Sequence, residues 1–356
     1  MYKKMSVFAT FVLIVSFLAA CGTPATSAVV PTAAPEQPTA TPVVPTAAPE
    51  QPAAKVYKMA AIFPGVITDA DYNTLAYVGM TAVKSDLGVD TAFSESVPVP
   101  DVDRVMREYI DAGYNIIWTH GGQFVNQTVE LARAFPEVVF IAEGDAPVEN
   151  PPANLWFIDR NFHIGYYAIG AMAAKATKTG KIGYIGGQTL PFSYAEVHAI
   201  QQALKDLGLN VELKTVWVGD FNDPTKARQV AEALMAEGVD VIMGSLNLGM
   251  FGVFEAVKAN PNKVLVSAKY SDKTSFAPDN YITSLLYDFA GPLKEIVTRT
   301  QKGEMGGYYP LGFDTGVKVQ LPLRNVDESV TNEVKAIIDD IISGKIKVVK
   351  DISPIQ

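Results

Sequence analysis

The side chains that could do chemistry in this sequence are few, and their types favour binding over catalysis. Its 356 residues include three histidines and one cysteine, Cys21. The sequence contains no Gly-x-x-x-x-Gly-Lys-Ser/Thr phosphate loop, no His-Glu-x-x-His zinc helix and no Gly-x-Ser-x-Gly elbow. His120 borders two glycines after an apolar run and could face a cleft, whereas the patterns around His163 and His198 favour structural roles. We therefore predict that the protein is not an enzyme and holds no metal or cofactor.

Aromatic and amide side chains that follow apolar runs are suited to a flat ligand. Tyr72 and Asn73 follow the first such run, and Phe221 follows a later one. Aromatic rings can cover the faces of a planar molecule, and an amide can both donate and accept at its edge. Residue type alone favours a simpler role, in which Tyr72 and Phe221 are loop aromatics packed against helix starts.

Three nearby carboxylates also have two interpretations. Asp69 and Asp71 precede a predicted helix, and Asp223 precedes Pro224, so each could cap a helix or favour its dipole. For Asp223 the capping role is favoured. For Asp69 a role in ligand binding is equally open.

Short apolar runs alternate with amphipathic helical patterns, and this order positions the candidate residues. The predicted strands are residues 56–63, 115–119, 138–142, 181–185, 211–218, 239–243 and 264–267. The predicted helices are residues 72–86, 125–134, 193–207, 224–237 and 250–259. Continuous Val/Ile-rich strands between helices indicate parallel sheets covered on both faces. Since the order runs twice, with a break near residues 157–162, we predict an α/β fold of two doubly wound lobes with ligand beyond the strands' carboxyl ends.

The N-terminal segment has the layout of an export signal. Lys3 and Lys4 precede an apolar run at residues 7–20, which is short for a membrane span. The run ends Leu-Ala-Ala-Cys, which resembles a bacterial lipobox. We predict a signal peptide over residues 1–20 and lipid attachment at Cys21; the alternative is an ordinary secretory signal with an incidental cysteine.

Residues 21–55 are rich in Pro, Thr and Ala and contain the octapeptide PTAAPEQP twice, at residues 31–38 and 45–52. Proline lacks a backbone donor and has a restricted φ, so this segment is predicted to be a semi-rigid tether of about 3 Å per residue.

The remaining residues have a globular composition, and their number favours two lobes. We place one lobe at 56–159 plus 284–312 and the other at 160–283 plus 313–356, with crossovers near Asp159, Thr283 and Gly312. The formal net charge is −9, and no basic cluster follows Lys4. A nucleic-acid partner is therefore not expected, because phosphate binding needs clustered Lys and Arg.

Several motifs resemble one family of receptors. Residues 64–73, PGVITDADYN, are followed by Tyr77 and Gly79. This segment resembles the opening motif of the basic membrane protein family of ABC-transporter receptors, which includes purine-nucleoside receptor lipoproteins. Further similar segments occur in the same order, from about residue 56 to residue 348: THGGQF at 119–124, GKIGYIGG at 180–187, GDFNDP at 219–224, GVDVI at 238–242 and GVF at 252–254.

The resemblance implies a type I periplasmic-binding-protein-like fold with a three-crossover hinge and a ligand between the lobes. It implies that Tyr72 and Phe221, one on each lobe, sandwich a ring whose edge is bonded by Asn73. The other implied contacts of the first lobe are Asp69, Gln123 and Phe124. Asn247 and Lys269 follow later strands and are further candidates, although Lys269 is equally explained as a solvated turn lysine.

Two departures from the family pattern bear on the ligand. Nucleoside-binding members carry Asp at the end of the first strand, where this sequence has Phe63. A later Gly-Val-Asp-x-Asp segment aligns its acids with Tyr270 and Asp272. Phe and Tyr cannot replace a carboxylate that bonds two ribose hydroxyls, and each unpaired buried hydroxyl costs about 1–3 kcal/mol. We therefore expect a free nucleobase or another small heteroaromatic instead of a nucleoside held by its ribose.

These inferences predict a monomeric, extracytoplasmic solute-binding receptor, anchored through Cys21 at the outer face of the cytoplasmic membrane or in the periplasm. Its partners would be a small molecule and the membrane permease of an ABC importer, with hinge closure around the ligand. One alternative is a sensory receptor that reports to a signalling partner. A nucleoside-acting enzyme is a further alternative, and it lacks a recognisable catalytic set.

Overall fold

The computed structural model describes residues 56–355. The predicted signal peptide, the lipid-attachment site at Cys21 and the tether lie outside the described residues. Within residues 56–355, no helix is both long enough and apolar enough to cross a membrane.

Strands and helices alternate along most of the described chain. The strands are β1 (Lys58–Ile62), β2 (Asp90–Ser94), β3 (Ile116–Thr119), β4 (Val139–Gly144), β5 (Leu155–Asp159), β6 (Lys181–Gly186), β7 (Glu212–Trp217), β8 (Val241–Ser245), β9 (Leu265–Tyr270), β10 (Tyr281–Tyr287), β11 (Gly307–Pro310) and β12 (Val317–Val319). The helices are α1 (Tyr72–Leu87), α2 (Val102–Asp111), α3 (Val125–Ala134), α4 (Phe162–Ala176), α5 (Pro191–Asp206), α6 (Pro224–Ala236), α7 (Gly249–Ala259), α8 (Ala290–Gln301) and α9 (Glu328–Ile342).

The strands form two six-stranded sheets. The first has the order β11-β5-β4-β3-β1-β2 and the second the order β12-β10-β9-β8-β6-β7. Neighbouring strands are parallel, except that β12 runs antiparallel to β10. The predicted class, two α/β lobes built on mainly parallel sheets, is confirmed.

The inner strands are apolar because both of their faces are covered. Every residue of β3, β4, β5, β8 and β9 is buried. In β1, alternate residues belong to different cores: Met59 and Ala61 pack with residues of α1, whereas Ala60 and Ile62 pack with residues of α2 and α3. This alternation decides which side chains near a strand end face the same side of the sheet.

The chain crosses between the sheets after β5, after β10 and after β11. Strand β10 pairs with β9 of the second sheet and continues to Tyr287. Residues 284–287 therefore lie in the second sheet and not in the first lobe as predicted, because the apolar strand runs on past Thr283. Helix α8 returns to the first lobe, where a Cβ added at Gly79 of α1 would lie 3.3 Å from the backbone of Phe289.

Candidate functional site

The loop before α1 is organised by one carboxylate. Asp69, which is 2% exposed, accepts hydrogen bonds from the backbone N–H groups of Asp71 at 3.0 Å, Asn73 at 3.1 Å and Thr74 at 3.0 Å. Asn247 of the second lobe reaches the same carboxylate with its Nδ2, at 3.4 Å. Asp69 therefore has the capping role that the sequence left open, and it also links the two lobes.

Asn73 has one end of its amide engaged and the other free. Its Nδ2 donates to Asp69 Oδ2 at 2.8 Å, which determines the orientation of the amide. Its Oδ1 is buried and has no hydrogen-bond partner within residues 56–355. The group that Asn73 offers is therefore an acceptor, because the donor is already used.

Tyr72 is held at its ring, at its hydroxyl and at its backbone oxygen, which lies 3.1 Å from His120 Nε2. The ring stacks on His120 with 3.8 Å between centroids and 26° between planes. The hydroxyl donates to Glu143 Oε2 at 3.2 Å and accepts from Arg160 Nη1 at 3.2 Å. Burial and then the Glu143 carboxylate raise the pKa of Tyr72 well above its usual value, so the hydroxyl remains a donor. The ring cannot turn without breaking these contacts.

Two charged residues of this group, Glu143 and Arg160, were not predicted from the sequence. Glu143 is the fifth residue of the buried strand β4 and is 0% exposed. Arg160 follows β5 and pairs with Asp145, with a distance of 2.9 Å from Nε to Oδ1. Its guanidinium lies 5.2 Å from the ring centres of both Phe162 and Phe192. An acid inside an otherwise apolar strand was the available signal for Glu143, because a buried charge requires partners.

Phe221 lies at the corresponding edge of the second lobe. Its half-buried ring covers Gly187, where an added Cβ would lie 2.1 Å from Phe221 Cδ1. The glycine is therefore required for this close approach. The carbonyl of Phe221 accepts from the backbone N–H of Asn247 at 3.0 Å and of Gly249 at 2.9 Å. These bonds place Phe221 beside the residue that reaches across to Asp69.

A row of rings connects Tyr72 with Phe221. Centroid distances are 5.8 Å from Tyr72 to Tyr270, 6.3 Å from Tyr270 to Phe162, 5.6 Å from Phe162 to Phe192 and 6.0 Å from Phe192 to Phe221. The structure thus puts the two predicted rings at opposite ends of one row that crosses between the lobes. Their clasp around a ligand stays a prediction.

Tyr270 and Lys269 end β9 inside this row. Tyr270 has φ of 77°, a strained conformation for a non-glycine residue that is often found at binding sites. Lys269 is 0% exposed and donates to Glu196 Oε1 at 2.5 Å, and its ammonium lies 3.8 Å from the centre of the Phe162 ring. Burial lowers the pKa of Lys269, and Glu196 opposes that effect. The interpretation of Lys269 as a solvated turn lysine is wrong, because the side chain points into the row.

A buried ion pair joins the lobes beside Asp69. Lys273 of the second lobe donates to Asp71 Oδ1, and Ser271 Oγ donates to the same oxygen at 3.1 Å. Burial raises the pKa of Asp71 to about 7, although Lys273 acts in the opposite direction.

Four predicted contacts lie outside the row of rings that runs from Tyr72 to Phe221. Phe63 is 0% exposed and packs edge-on against Trp118, at 5.8 Å between centroids. Phe124 is buried with the α2 and α3 core, on the other face of the first sheet, because the turn after β3 directs it there. Gln123 is exposed. Asp272 is also exposed and accepts from the backbone N–H of Thr274 at 2.8 Å, which stabilises a local turn.

The two-lobed fold is shared with solute-binding proteins and with transcription regulators. A solute-binding protein of an ABC transporter system from Aeropyrum pernix K1 has the same fold, with a TM-score of 0.73 at 21% identity over 83% of this chain and 93% of that one.

Residues 56–352 match the model of the Bmp family, described as ABC transporter substrate-binding protein PnrA-like. The chain belongs to this family, as its motifs predicted, and it is a substrate-binding protein. Basic membrane protein A2 of Borrelia garinii subsp. bavariensis is 27% identical over 267 residues, which are 73% of this chain and 78% of that protein. A purine-binding protein of Brucella abortus is 27% identical over 249 residues, which are 68% of each chain.

Proposed function

We propose that this protein is the extracytoplasmic receptor of an ABC importer and that it binds a small heteroaromatic ligand between its lobes. The observation that carries the proposal is the pairing of an immobilised ring with a free acceptor on adjacent residues. Tyr72 is held by His120, Glu143 and Arg160, and Asn73 Oδ1 is buried and unpaired within the described chain. A flat ligand that stacks on Tyr72 would bring its polar edge to Asn73.

The orientation of Asn73 sets the chemistry of that edge. Because Nδ2 is bonded to Asp69, the ligand has to supply the donor, such as an exocyclic amino group or a ring N–H. A ligand edge with acceptors alone would leave Asn73 Oδ1 unsatisfied after closure, at a cost of about 1–3 kcal/mol. Aminopurines and related bases meet this requirement.

The acids around the row favour a ligand without ribose. Glu143 accepts from Tyr72, Asp145 from Arg160, and Glu196 from Lys269. Phe63 occupies the place of the family's ribose-binding acid and is fully buried. At each of these three carboxylates, ribose hydroxyls would have to displace an existing bond; among the described residues, the buried carboxylate oxygen without a partner is Asp71 Oδ2. The purine-binding relative from Brucella abortus supports a base as the ligand class.

Calorimetry tests the ligand class. Adenine, guanine, adenosine, guanosine and inosine would be titrated into the protein after unfolding and refolding to remove carried-over ligand. We expect at least one base to bind more tightly than its nucleoside. Nucleosides that bind far more tightly than bases would contradict the proposal, and a panel without any binding would remove the heteroaromatic class.

Lipid attachment at Cys21 is a second part of the proposal. Acyl labelling in cells should be lost in the Cys21→Ser variant, whose protein should leave the membrane fraction. Membrane retention of C21S without label would argue for another anchor. Uptake measured in a strain that lacks the receptor separates import from sensing, because the loss of a sensor would leave uptake unchanged.

A further inference from the structure

Both ring nitrogens of His120 face groups that can only accept. Nδ1 lies 2.8 Å from Glu143 Oε1, and Nε2 lies 3.1 Å from the backbone oxygen of Tyr72. An ionised carboxylate and a carbonyl have no proton to give. If Glu143 is ionised, both nitrogens of His120 carry a proton and the ring is an imidazolium ion.

The surroundings of Glu143 favour its ionised form. Besides His120, the carboxylate accepts from Trp118 Nε1 at 2.9 Å and from the Tyr72 hydroxyl at 3.2 Å. Donors directed at a carboxylate stabilise its charge. Glu143 and His120 are both 0% exposed, so an opposite charge in contact is what makes either charge tolerable there.

The imidazolium ion occupies one face of Tyr72. Among the ring pairs described for residues 56–355, Tyr270 contacts Tyr72 and not His120. Tyr270 of the second lobe therefore lies against a part of Tyr72 that His120 does not cover. A ligand between the lobes would stack on the face of Tyr72 turned away from His120.

We propose that His120 is a positioning and specificity-determining residue: as an imidazolium ion stacked behind Tyr72, it fixes that ring and selects electron-rich ligands for its other face. A cation on one face of an aromatic ring attracts π electrons toward itself. The opposite face becomes poorer in electrons and stacks better on an electron-rich ring. This inference rests on the proposed function, in which Tyr72 carries the ligand.

Nitrogen-15 NMR of the ligand-free wild-type protein tests the protonation directly. The sequence has three histidines, and the resonances of His120 are identified by their loss in the His120→Gln variant. We expect two protonated ring nitrogens with similar shifts at neutral pH. One protonated and one bare nitrogen would overturn the inference, whether or not any ligand binds. A H120Q variant that fails to fold leaves this test intact, since assignment can use selective ring labelling and the other two histidine variants.

Binding tests the specificity. The base that wild type binds most tightly would be compared with an aza analogue of the same shape, in which a ring C–H is replaced by nitrogen and the π system is poorer in electrons. Wild type should prefer the parent base, whereas H120Q and Glu143→Gln should bind it about tenfold more weakly and lose the preference.

Thr119→Val is the matched control for these variants. Thr119 is the last residue of β3, directly before His120, and is also 0% exposed, but its hydroxyl bonds Thr128 at 2.8 Å on the other side of the sheet. T119V should keep both the affinity and the preference. If H120Q and E143Q retain the preference while folded, the role of His120 is refuted even though the receptor binds bases. If wild type binds no ring, the proposed function fails instead.

Discussion

Each lobe buries one glutamate beneath the row of rings, and the two glutamates are used differently. Glu143 of the first lobe is hydrogen-bonded to His120 and to the Tyr72 hydroxyl. Glu196 of the second lobe is hydrogen-bonded to Lys269 and, at 2.6 Å, to the Tyr184 hydroxyl. The first pair contacts Tyr72 itself. The second lies behind Phe162 and Phe192, so Phe221 has no direct charged support from it.

The comparison indicates a rigid side and an adjustable side. Tyr72 is 9% exposed and held by directional bonds, whereas Phe221 is half-buried and held by packing over Gly187 and by its backbone. Buried ion pairs add little net stability but define geometry. We therefore expect the first lobe to present a prepared surface and the second lobe to adapt to the ligand on closure.

The largest expected effect is on stability, when the buried Lys269–Glu196 ion pair is broken. Lys269→Met leaves Glu196 buried without its cation, which should lower the free energy of unfolding by about 3–5 kcal/mol. Urea denaturation of the ligand-free protein measures this change, and the double variant K269M/E196Q should recover part of it. Lys258→Met is the control, because its pair with Glu255 is exposed at 42% and 58% and should change stability by less than about 1 kcal/mol. Equal losses in K269M and K258M would contradict a buried charge pair.

The second prediction compares the two rings. Tyr72→Ala removes the stacking surface and leaves Glu143 and Arg160 without a shared partner, so affinity for the best base should fall about 100-fold. Phe221→Ala removes a ring held mainly by packing, and the expected loss is about tenfold. Calorimetry measures both. A larger loss in F221A than in Y72A would reverse the assignment of rigid and adjustable sides.

The third prediction concerns pH and the interlobe pair. Burial raises the pKa of Asp71 from 3.8 to about 7, so the closed form binds a proton more tightly than a form in which Asp71 is exposed. At pH values between 3.8 and about 7, closure therefore takes up a proton at Asp71. The stabilisation of the closed form by this proton is lost as the pH rises through about 7. Ligand affinity should increase about tenfold from pH 8 to pH 6.

Calorimetry in buffers of different ionisation enthalpy counts the protons taken up. The groups that face Asp71 are Lys273, Ser271 and Asp69, and the Asp71→Asn variant should abolish the uptake. Uptake that persists unchanged in D71N would assign it to another group.

The smallest expected effect is at Gln123. Its side chain is exposed and outside the group of rings, so Gln123→Ala should leave affinity within about twofold of wild type. A loss approaching that of F221A would mean that the loop after β3 turns inward when ligand binds.

Much of the architecture was predictable because it depends on local patterns. Short apolar runs between helical periods identified β1, β3, β6 and β8, and motif order identified the family. The crossover predicted near Thr283 was less accurate: β10 runs to Tyr287, since nothing local distinguishes the end of a strand from the start of the link to the other sheet.

The sequence by itself determined two doubly wound lobes, the family, and the identity of Tyr72, Asn73 and Phe221 as residues after strands. Tertiary structure alone decided that Glu143 lies under Tyr72, that Lys269 is buried against Glu196, and that Phe124 faces the opposite core. The physical reason is the separation along the chain between the residues that interact. Strand and helix periods are set by neighbours along the chain, whereas the partner of a buried charge is contributed by another element, 71 residues away for Tyr72 and Glu143.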